Sequence, residues 1–484
     1  MNMKQQKKTT FRPPIVTLMG HIDHGKTTLL DKIRSSRLWH KESGGITQHI
    51  SAYQVDVSND NKQPQLITFI DTPGHATFMD MRARGNSISD LVVLVVSATE
   101  GVKAQTKESI KLIKQSNTPV IVALNKVDLP TANLDKVRAE LSEQDLVPEE
   151  FGGQIATIPL SAKTGEGIDK FLEVILLNAE IMELKMEDKA ELEAIVIESR
   201  LDKQKGPILT AVVKKGILKL GDTIFIGQHQ AKIKSLLDYN GQPISQAGPA
   251  TPVQIMAFSF LPTASVLITS KLQALTTNDS QQSIDLPAKP DSAEKSLNIV
   301  VKADTKGTLE ALLNNFTNNI NIISSGVGPI TDNDIFLAKN ASAQIFAFNL
   351  NAPKFIRNLA KNENIQIFES QIIYEIIEEV QGQVLKMLEP TIDENILGQA
   401  VIKAEFNINK VRIAGLSCTK GTLSKGDKIH LKRGDEIIKD SRIHGIKQAK
   451  QEVDKIKAGQ ECGMVFKPYI DFKISDVIIA YNKN

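Results

Sequence analysis

A glycine-bounded stretch near the start of the chain has the residue types and spacing that hold a phosphate group. Residues 20–27 fit Gly-x-x-x-x-Gly-Lys-Thr, in which Lys26 reaches the β- and γ-phosphates of a nucleotide and the Thr27 hydroxyl binds Mg²⁺. A chance glycine-rich turn is the alternative. An apolar strand pattern precedes the stretch and a helical pattern follows it, however, as a phosphate-binding loop requires. The residues assigned to this loop are Gly20, His21, Ile22, Asp23, His24, Gly25, Lys26, Thr27 and Thr28.

Three further motifs each follow an apolar run that predicts a buried strand. They are Asp71-Thr72-Pro73-Gly74-His75, Asn125-Lys126-Val127-Asp128 and Ser161-Ala162-Lys163. Asp71 is placed to hold Mg²⁺ through water, and Gly74 is free to turn its N–H toward a γ-phosphate. Because the carboxyl ends of parallel strands share one sheet edge, we expect all three motifs to meet the phosphate loop there.

The base of the nucleotide is indicated by Asp128. A carboxylate accepts from two neighbouring donors, and guanine offers N1–H and its N2 amino group on one edge, whereas adenine has no such pair. Asn-Lys-x-Asp alone is weak evidence, since Asn and Asp are common in turns. Four motifs in this order predict GTP, with Mg²⁺, as the ligand.

Two residues near the expected γ-phosphate are candidates for state-dependent chemistry. Thr47 can give Mg²⁺ a second hydroxyl, so its loop would order and release with the nucleotide state. His75 follows Gly74 beside the expected attacking water, which a histidine can orient or deprotonate; an ordinary loop histidine is the alternative. His21 and His24 also suggest a metal site, but a convergent ligand set is absent.

Composition places the chain among soluble globular proteins of several domains. It has 484 residues, 41% of them hydrophobic and 24% charged, with a net charge of +2 and two cysteines. Apolar runs fall short of the ~20 residues of a membrane span, and two cysteines make no disulfide framework. Reduced cytosol is the expected location, with an organelle matrix as the less favoured one. Residues 1–12 read as a basic tail.

Alternating strands and helices through residues 13–180 predict a doubly wound α/β domain with a phosphate-binding loop. Residues 181–275 begin with an acidic connector, expected to be helical from Glu180 to Glu193, and continue as a β-barrel. The turn Gly216-Ile-Leu-Lys-Leu-Gly-Asp222 recurs as Gly421-Thr-Leu-Ser-Lys-Gly-Asp427, each copy before a strand, which predicts two similar barrels.

The remaining segments complete a multidomain α/β plus β-barrel architecture. Residues 276–296 predict a linker, 297–370 an α/β domain in which Asp304 or Thr305 caps a helix, and 371–390 a long helix. That helix is either part of a core or an exposed connector. Residues 391–484 predict the second, C-terminal barrel.

The motifs together resemble the translational GTPases, and Gly44-Gly-Ile-Thr-Gln-His-Ile50 with Asp71-Thr-Pro-Gly-His75 resembles bacterial-type translation initiation factor 2. The resemblance extends over nearly the whole chain from Pro13 onward and favours the connector reading of the long helix. It implies that Thr47 binds Mg²⁺, that His75 positions the hydrolytic water, and that Ile22 and Ile46 form an apolar gate. It also implies a monovalent cation at Asp23.

The resemblance implies a cytoplasmic, ribosome-dependent GTPase that brings formylmethionyl initiator tRNA to the small ribosomal subunit and promotes subunit joining. Other initiation factors would be further partners, with no membrane and a monomeric chain. The alternatives are an elongation-type or specialised tRNA-delivery GTPase, or a regulatory GTPase outside translation. The α/β third domain with its long helix disfavours the former. The lack of a cysteine- or histidine-rich metal segment disfavours a metal-chaperone form of the latter.

A tRNA site in the C-terminal barrel is also implied by the resemblance. Its residues are Lys447, Lys450, Glu461, Cys462 and Gly463. Gln448 and Ala449 stand where the family usually has arginine and an aromatic ring, and Leu416 stands where it often has cysteine. Loss of a cation and a stacking ring, the latter worth roughly 1–3 kcal/mol, predicts weak binding of the acylated tRNA. The alternative for Cys462 is that it fills the barrel core.

Overall fold

The computed structural model describes residues 11–34, 47–58, 65–272, 296–316, 319–388, 394–408, 411–434, 436–448 and 451–483. The chain divides into two compact units, Met1–Val380 and Gln381–Asn484. Within the described residues, none of the helices is long and apolar enough to cross a lipid bilayer.

The nucleotide domain is built on a six-stranded sheet in the order β2-β3-β1-β4-β5-β6. β2 runs antiparallel to β3, and the other neighbouring pairs are parallel. The strands are β1 (Ile15–Gly20), β2 (Ser51–Asp56), β3 (Leu66–Asp71), β4 (Leu91–Ser97), β5 (Val120–Asn125) and β6 (Thr157–Pro159). The helices are α1 (Lys26–Arg34), α2 (Met79–Ile88), α3 (Ala104–Ser116), α4 (Leu134–Ser142) and α5 (Ile168–Ile181). The predicted α/β sheet is therefore confirmed, with β2 as a strand that the sequence pattern did not reveal.

Parallel pairing explains why the motifs meet. β1, β3 and β5 end at Gly20, Asp71 and Asn125, so the residues that follow lie along one edge of the sheet. All seven residues of β4 are buried, because helices cover both faces of the sheet.

Both ends of this domain differ in detail from expectation. Arg12, assigned to the basic tail, is fixed by Asp90, which accepts from its two terminal nitrogens at 2.6 and 2.7 Å. Residues 1–10 of the tail lie outside the described residues. The connector predicted to be helical to Glu193 is not: α5 ends at Ile181, and Glu183 takes a left-handed backbone (φ 48°) that stops the helix.

Residues 193–269 form a seven-stranded antiparallel sheet with one additional two-stranded pair. Its order is β11-β10-β15-β7-β8-β14-β12, with β9 and β13 paired apart. The edge strands β11 and β12 are separated by two residues, and the strands of this sheet share one apolar core, as the predicted β-barrel requires. The strands are β7 (Glu193–Asp202), β8 (Gly206–Lys215), β9 (Leu218–Lys219), β10 (Thr223–Ile226), β11 (His229–Lys232), β12 (Ser235–Leu237), β13 (Gln246–Ala247), β14 (Pro252–Met256) and β15 (Leu267–Thr269).

The repeated turn has the same structure in both places. Gly216 and Gly421 have left-handed φ angles of 72° and 70°. Asp222 and Asp427 each accept a backbone N–H three residues earlier through Oδ2, at 3.0 and 2.7 Å. The two copies are therefore equivalent turns, as the internal repeat predicts.

The third part is a four-stranded parallel sheet in the order β17-β16-β18-β19, flanked by helices, as predicted. The strands are β16 (Leu297–Ala303), β17 (Ile320–Val327), β18 (Gln344–Phe348) and β19 (Ile367–Ser370), and the helices are α6 (Lys306–Asn314), α7 (Asp332–Ala341) and α8 (Lys354–Asn362). Thr305 caps α6 by accepting from Thr308 N at 3.2 Å. The predicted linker falls almost entirely on residues 273–295, outside the described residues. The long helix is α9 (Ile373–Leu388).

The C-terminal unit is a closed β-barrel. Six strands pair in a ring, β20-β27-β22-β23-β26-β21 and back to β20, around one apolar core. The strands are β20 (Glu394–Ile408), β21 (Val411–Ser424), β22 (Lys428–Arg433), β23 (Glu436–Gln448), β24 (Gln451–Val453), β25 (Lys455–Lys457), β26 (Glu461–Phe466) and β27 (Val477–Lys483). The second barrel is thus confirmed.

Candidate nucleotide-binding site

The phosphate loop joins β1 to α1 with two glycines at positions where a side chain would collide. Gly20 has φ 141°, and a Cβ there would lie 2.3 Å from the carbonyl oxygen of Val95. Gly25 has φ 87°, and a Cβ there would lie 2.3 Å from Nδ2 of Asn125. The loop therefore packs against β4 and β5 at a distance that only glycine allows.

Lys26 begins α1 and folds back across the loop. Its Nζ donates to the carbonyl oxygens of Gly20 at 2.9 Å and His21 at 2.7 Å. Burial lowers the pKa of Lys26 to about 8, while the Asp71 carboxylate opposes that shift. A Cβ on Gly74 would lie 2.5 Å from Nζ, so the Gly74 backbone sits directly beside this ammonium group.

Three oxygen-bearing side chains converge next to Lys26. The Thr27 and Thr47 hydroxyl oxygens lie 2.9 Å apart, and Thr47 Oγ1 donates to Asp71 Oδ2 at 3.4 Å. They come from α1, the segment before β2, and the end of β3. Two hydroxyls and a carboxylate within this span are the hard oxygen donors that Mg²⁺ takes, so the residues present fit the ion.

The base end of the site is tied together by Asn125. Its Nδ2 donates to the carbonyl oxygen of His24 at 2.8 Å, and its Oδ1 accepts from the N–H groups of Lys126 and Ala162 at 2.8 and 2.9 Å. One side chain thus joins the phosphate loop, the end of β5 and the loop after β6.

Asp128 is held at the same end of the site by a neighbouring hydroxyl. The hydroxyl of Ser161 donates to Asp128 Oδ1 at 2.7 Å, which fixes the carboxylate toward the space where a base would lie. Ser161 Oγ in turn accepts from the N–H of Thr164 at 3.1 Å. The orientation of Asp128 is therefore set by protein contacts before any ligand binds.

His75 is held from several sides. Nδ1 of His75 lies 3.1 Å from the hydroxyl oxygen of Thr77 and 3.3 Å from the Thr77 backbone nitrogen, so this residue engages one ring nitrogen. Burial lowers the pKa of His75, and the charges of Arg82 and His21 lower it further. The fully buried Arg82 donates to the carbonyl oxygen of His75 and to Glu108 Oε2. The ring of Tyr374, from α9, packs on the imidazole with centroids 4.1 Å apart.

These groups enclose a cavity of about 480 Å³ at the carboxyl edge of the sheet. It is lined by Ile22, Asp23, Gly25, Lys26, Thr27, Thr28, Thr47, Gly74, His75, Asn125, Lys126, Asp128, Leu129, Ala162, Lys163 and Tyr374. Several predicted residues lie behind the lining: Gly20, His21, His24, Asp71, Thr72, Pro73, Val127 and Ser161. Ile46, the second predicted gate residue, lies outside the described residues.

Residues behind the lining shape it. The Thr72 hydroxyl donates to the carbonyl oxygen of Leu18 at 2.9 Å, which anchors the turn before Gly74. His24 is buried with its pKa lowered to about 4, so it is neutral, and its ring lies 5.1 Å from that of His21. In the part of the chain that the structure describes, His, Cys, Asp and Glu side chains form no cluster of three or more that could bind a metal ion.

Sequence reasoning missed Leu129, Arg82 and Tyr374. Leu129 follows Asp128 directly, so its position next to the motif could have predicted it. The burial of Arg82 left no signal in the sequence. Tyr374 stands next to Ile373 in the apolar stripe of the long helix, a position that hints at a second contact face but names no partner.

The predicted tRNA residues fall on adjacent strands of the C-terminal barrel. Lys447 on β23 pairs with Gly463 on β26, and Glu461 makes an ion pair with Lys403 at 3.0 Å. Cys462 faces the opposite side of β26 and is 8% exposed in the barrel core, which is the alternative left open by the sequence. Burial raises the pKa of its thiol to about 12. Ala449 and Lys450 lie outside the described residues.

Comparison with family models covers most of the chain. Residues 12–180 match the Elongation factor Tu GTP binding domain, 191–270 match Elongation factor G domain 2, and 271–381 match Translation-initiation factor 2.

Individual relatives match across nearly all of it. The chain is 40% identical to translation initiation factor IF-2 of Geobacillus sp. (strain WCH70), over 97% of this chain and 67% of that protein. It is 41% identical to the proteins of that name from Aquifex aeolicus and from Thermoanaerobacter sp., covering 97% and 98% of this chain and 61% and 72% of theirs. The chain thus spans about two thirds of the length of these relatives. A similar solved structure, GDP-bound aIF5B from Aeropyrum pernix, has 26% identity and a TM-score of 0.47, covering 97% of this chain and 92% of that one.

Proposed function

The chain belongs to the translation initiation factor 2 family of translational GTPases, and from this premise we propose that it acts at the ribosome with initiator tRNA. In this proposal the GTP-bound protein promotes binding of formylmethionyl initiator tRNA to the small subunit, aided by other initiation factors, and then promotes subunit joining. GTP hydrolysis to GDP and phosphate ends the cycle. The observation that carries the proposal is the convergence of all four motifs on one cavity beside His75.

Phosphate binding follows from the loop and Lys26. The loop N–H groups and the N-terminus of α1 attract the β- and γ-phosphates, and a bound triphosphate would keep Lys26 protonated despite its burial. Thr27, Thr47 and Asp71 would hold Mg²⁺, which would neutralise part of the phosphate charge. In this proposal Thr47 binds the ion only while γ-phosphate is present, so the segment before β2 would order and release with the nucleotide state.

Hydrolysis is attack of water on the γ-phosphorus, with positioning as the main protein contribution. Thr77 contacts Nδ1 of His75 through its N–H and its hydroxyl, so Nε2 is the ring nitrogen left for the attacking water. In this proposal the neutral imidazole orients that water or accepts its proton. We assign Ile22, which lines the cavity, and Ile46 as the gate that limits its approach.

Guanine selection is assigned to Asp128, with the N1–H and N2 donors of the base as its partners. Asn125 keeps the loops that flank the base together. The catalytic assignment is His75, and the metal assignment is Thr27, Thr47 and Asp71. Asp23, which lines the cavity with a left-handed φ of 59°, stays our proposed ligand for a monovalent cation.

The division of the chain into domains is part of the proposal. We propose residues 13–180 as the GTPase domain, 181–275 as a β-barrel domain, 276–296 as a linker, 297–370 as an α/β domain, 371–390 as the connector, and 391–484 as the tRNA domain. Within the last, Lys447, Glu461 and Gly463 lie together on β23 and β26, where a tRNA end can reach them.

The experiment is GTP turnover by the purified chain with and without bacterial-type ribosomes. We expect stimulation of about 10²-fold or more, the scale of a partner that completes a GTPase site. Lys26→Ala is the control and should abolish turnover, which shows that the signal comes from this site. Turnover that ribosomes leave unchanged would refute the proposal.

A second measurement separates initiation from elongation. Binding of formylmethionyl, methionyl and elongator aminoacyl-tRNA to the GTP-bound chain is compared on filters at one salt concentration. Preference for the formylated initiator supports the proposal, whereas preference for elongator tRNA would favour an elongation-type factor.

A further inference from the structure

The nucleotide cavity receives one side chain from far along the sequence. Tyr374, in the first turn of α9, lines the cavity together with Lys26, Thr47 and His75. Its ring centroid is 4.1 Å from that of His75, with the two planes inclined at 56°. A tyrosine of α9 thus forms part of the wall beside the expected γ-phosphate.

The start of α9 is fixed to the segment that carries Thr47. Gln48 donates from Nε2 to the carbonyl oxygen of Gln371 at 2.9 Å and accepts at Oε1 from the N–H of Ile373 at 3.1 Å. Gln48 is 2% exposed, so both bonds are shielded from water. The residue next to a proposed Mg²⁺ ligand therefore sets where Tyr374 lies.

The imidazole of His75 is confined by these contacts. Thr77 engages Nδ1 on one side, Arg82 holds the His75 carbonyl oxygen, and Tyr374 covers the ring. Arg82 and His21 are the charged and titratable groups that face it from α2 and the phosphate loop. Removing the Tyr374 ring would take away the packing on one face of the imidazole and widen the range of positions open to the ring.

We propose that Tyr374 is a positioning residue for His75, and that its docking through Gln48 makes the start of α9 a working part of the hydrolytic site. This inference rests on the proposed GTPase function. Because Gln48 bonds the start of α9 to the segment that carries Thr47, the position of Tyr374 is coupled to that segment, and hydrolysis requires both to be in place. Residues 47–48 and 371–374 then act as one element.

The test compares Tyr374→Leu, which removes the ring, with Tyr374→Phe, which removes only the hydroxyl. In ribosome-stimulated hydrolysis we expect Tyr374→Leu to lower kcat by about 10- to 100-fold, the effect of misplacing a reacting group, with a smaller change in KM. Tyr374→Phe should stay within about threefold of wild type, because the packing ring is kept.

The pH dependence of hydrolysis distinguishes the two roles, because a merely structural role for Tyr374 would not shift it. Hydrolysis that needs neutral His75 falls as the pH drops through its pKa. Tyr374→Leu admits water to the imidazole and removes part of the burial that lowers this pKa, so the acidic limb should shift to higher pH. Tyr374→Phe should leave the limb where it is.

Ile377→Ala is the matched control, since Ile377 is a buried residue of α9 that does not line the cavity. If it reproduced the kcat loss and the shifted limb, loosening of α9 would explain both effects and the inference would fail. Wild-type kcat or a gain in hydrolysis for Tyr374→Leu would also overturn it.

Single-turnover hydrolysis without ribosomes is measured in parallel. If wild type shows no ribosome stimulation, the proposed function fails, yet the ribosome-free rates and pH limbs still decide the role of Tyr374. If wild type is stimulated and Tyr374→Leu matches it in both assays, this inference alone fails.

Discussion

Replacing Asn125 with alanine tests whether one side chain holds the base end of the site together. The change removes three hydrogen bonds of 2.8, 2.8 and 2.9 Å, to His24 O, Lys126 N and Ala162 N. The bonds to His24 and Ala162 are fully buried, and each group left without a partner costs about 1–3 kcal/mol. Losing both of these buried bonds should therefore cost about 2–6 kcal/mol.

The loss of nucleotide-binding free energy should lie in the lower part of that range. In the empty site the loops can relax and bind water, whereas a bound nucleotide holds them in place, so the penalty falls mainly on the complex. We expect about 2–3 kcal/mol, or GTP binding weakened about 30- to 150-fold. GDP binding should weaken equally, because Asn125 lies away from the γ-phosphate end.

The assay is displacement of a fluorescent guanine nucleotide, together with thermal unfolding with and without GTP. Asn133→Ala is the control: Asn133 caps α4 by accepting from Lys136 N at 3.0 Å and does not line the cavity. It should cost about 1 kcal/mol of stability and leave GTP affinity unchanged. A folded Asn125→Ala protein with near-wild-type affinity, or one that loses GTP but not GDP binding, would refute the reasoning.

Four further outcomes follow from the site and the barrel. Asp128→Asn should shift preference from GTP toward xanthosine triphosphate, because the amide can donate to the carbonyl that replaces the N2 amino group; unchanged competition binding would contradict the base assignment. His75→Ala should retain GTP binding while ribosome-stimulated hydrolysis falls by roughly 10² to 10⁴; single-turnover rates near wild type would make His75 an ordinary loop residue. Since the pKa of His75 is lowered, the neutral ring persists below the ordinary histidine range, so wild-type hydrolysis should hold on mild acidification and fall only at lower pH in a buffered rate series. Gln448→Arg with Ala449→Phe should tighten binding of formylmethionyl-tRNA and steepen its salt dependence on filters, and no gain in a folded protein would move tRNA recognition to other residues.

Local chemistry explains what could be predicted. Phosphate and guanine each need particular residue types at short, fixed spacing, so Lys26, Thr27 and Asp128 were recognisable from the chain alone. Buried parallel strands leave apolar runs in the sequence, and such a run precedes the phosphate loop and each of the three further motifs, where the structure has β1, β3, β5 and β6. β2 escaped because Ser51–Asp56 mixes polar and apolar residues as an edge strand. The prediction of a helical connector was wrong because it rested on the charge pattern alone, whereas the left-handed backbone of Glu183 turns the chain there.

What the sequence by itself determined is therefore the ligand class, a guanine nucleotide, and the sheet edge at which its site lies. What only the tertiary structure decided is how distant segments complete the site. Arg82 is buried under His75, Asn125 joins three loops, and Gln48 bonds to residues 323 and 325 positions away, which brings Tyr374 onto His75. The physical reason is that such contacts arise from packing between elements. The spacing of residues along the chain does not indicate which side chains line the same cavity in the folded protein.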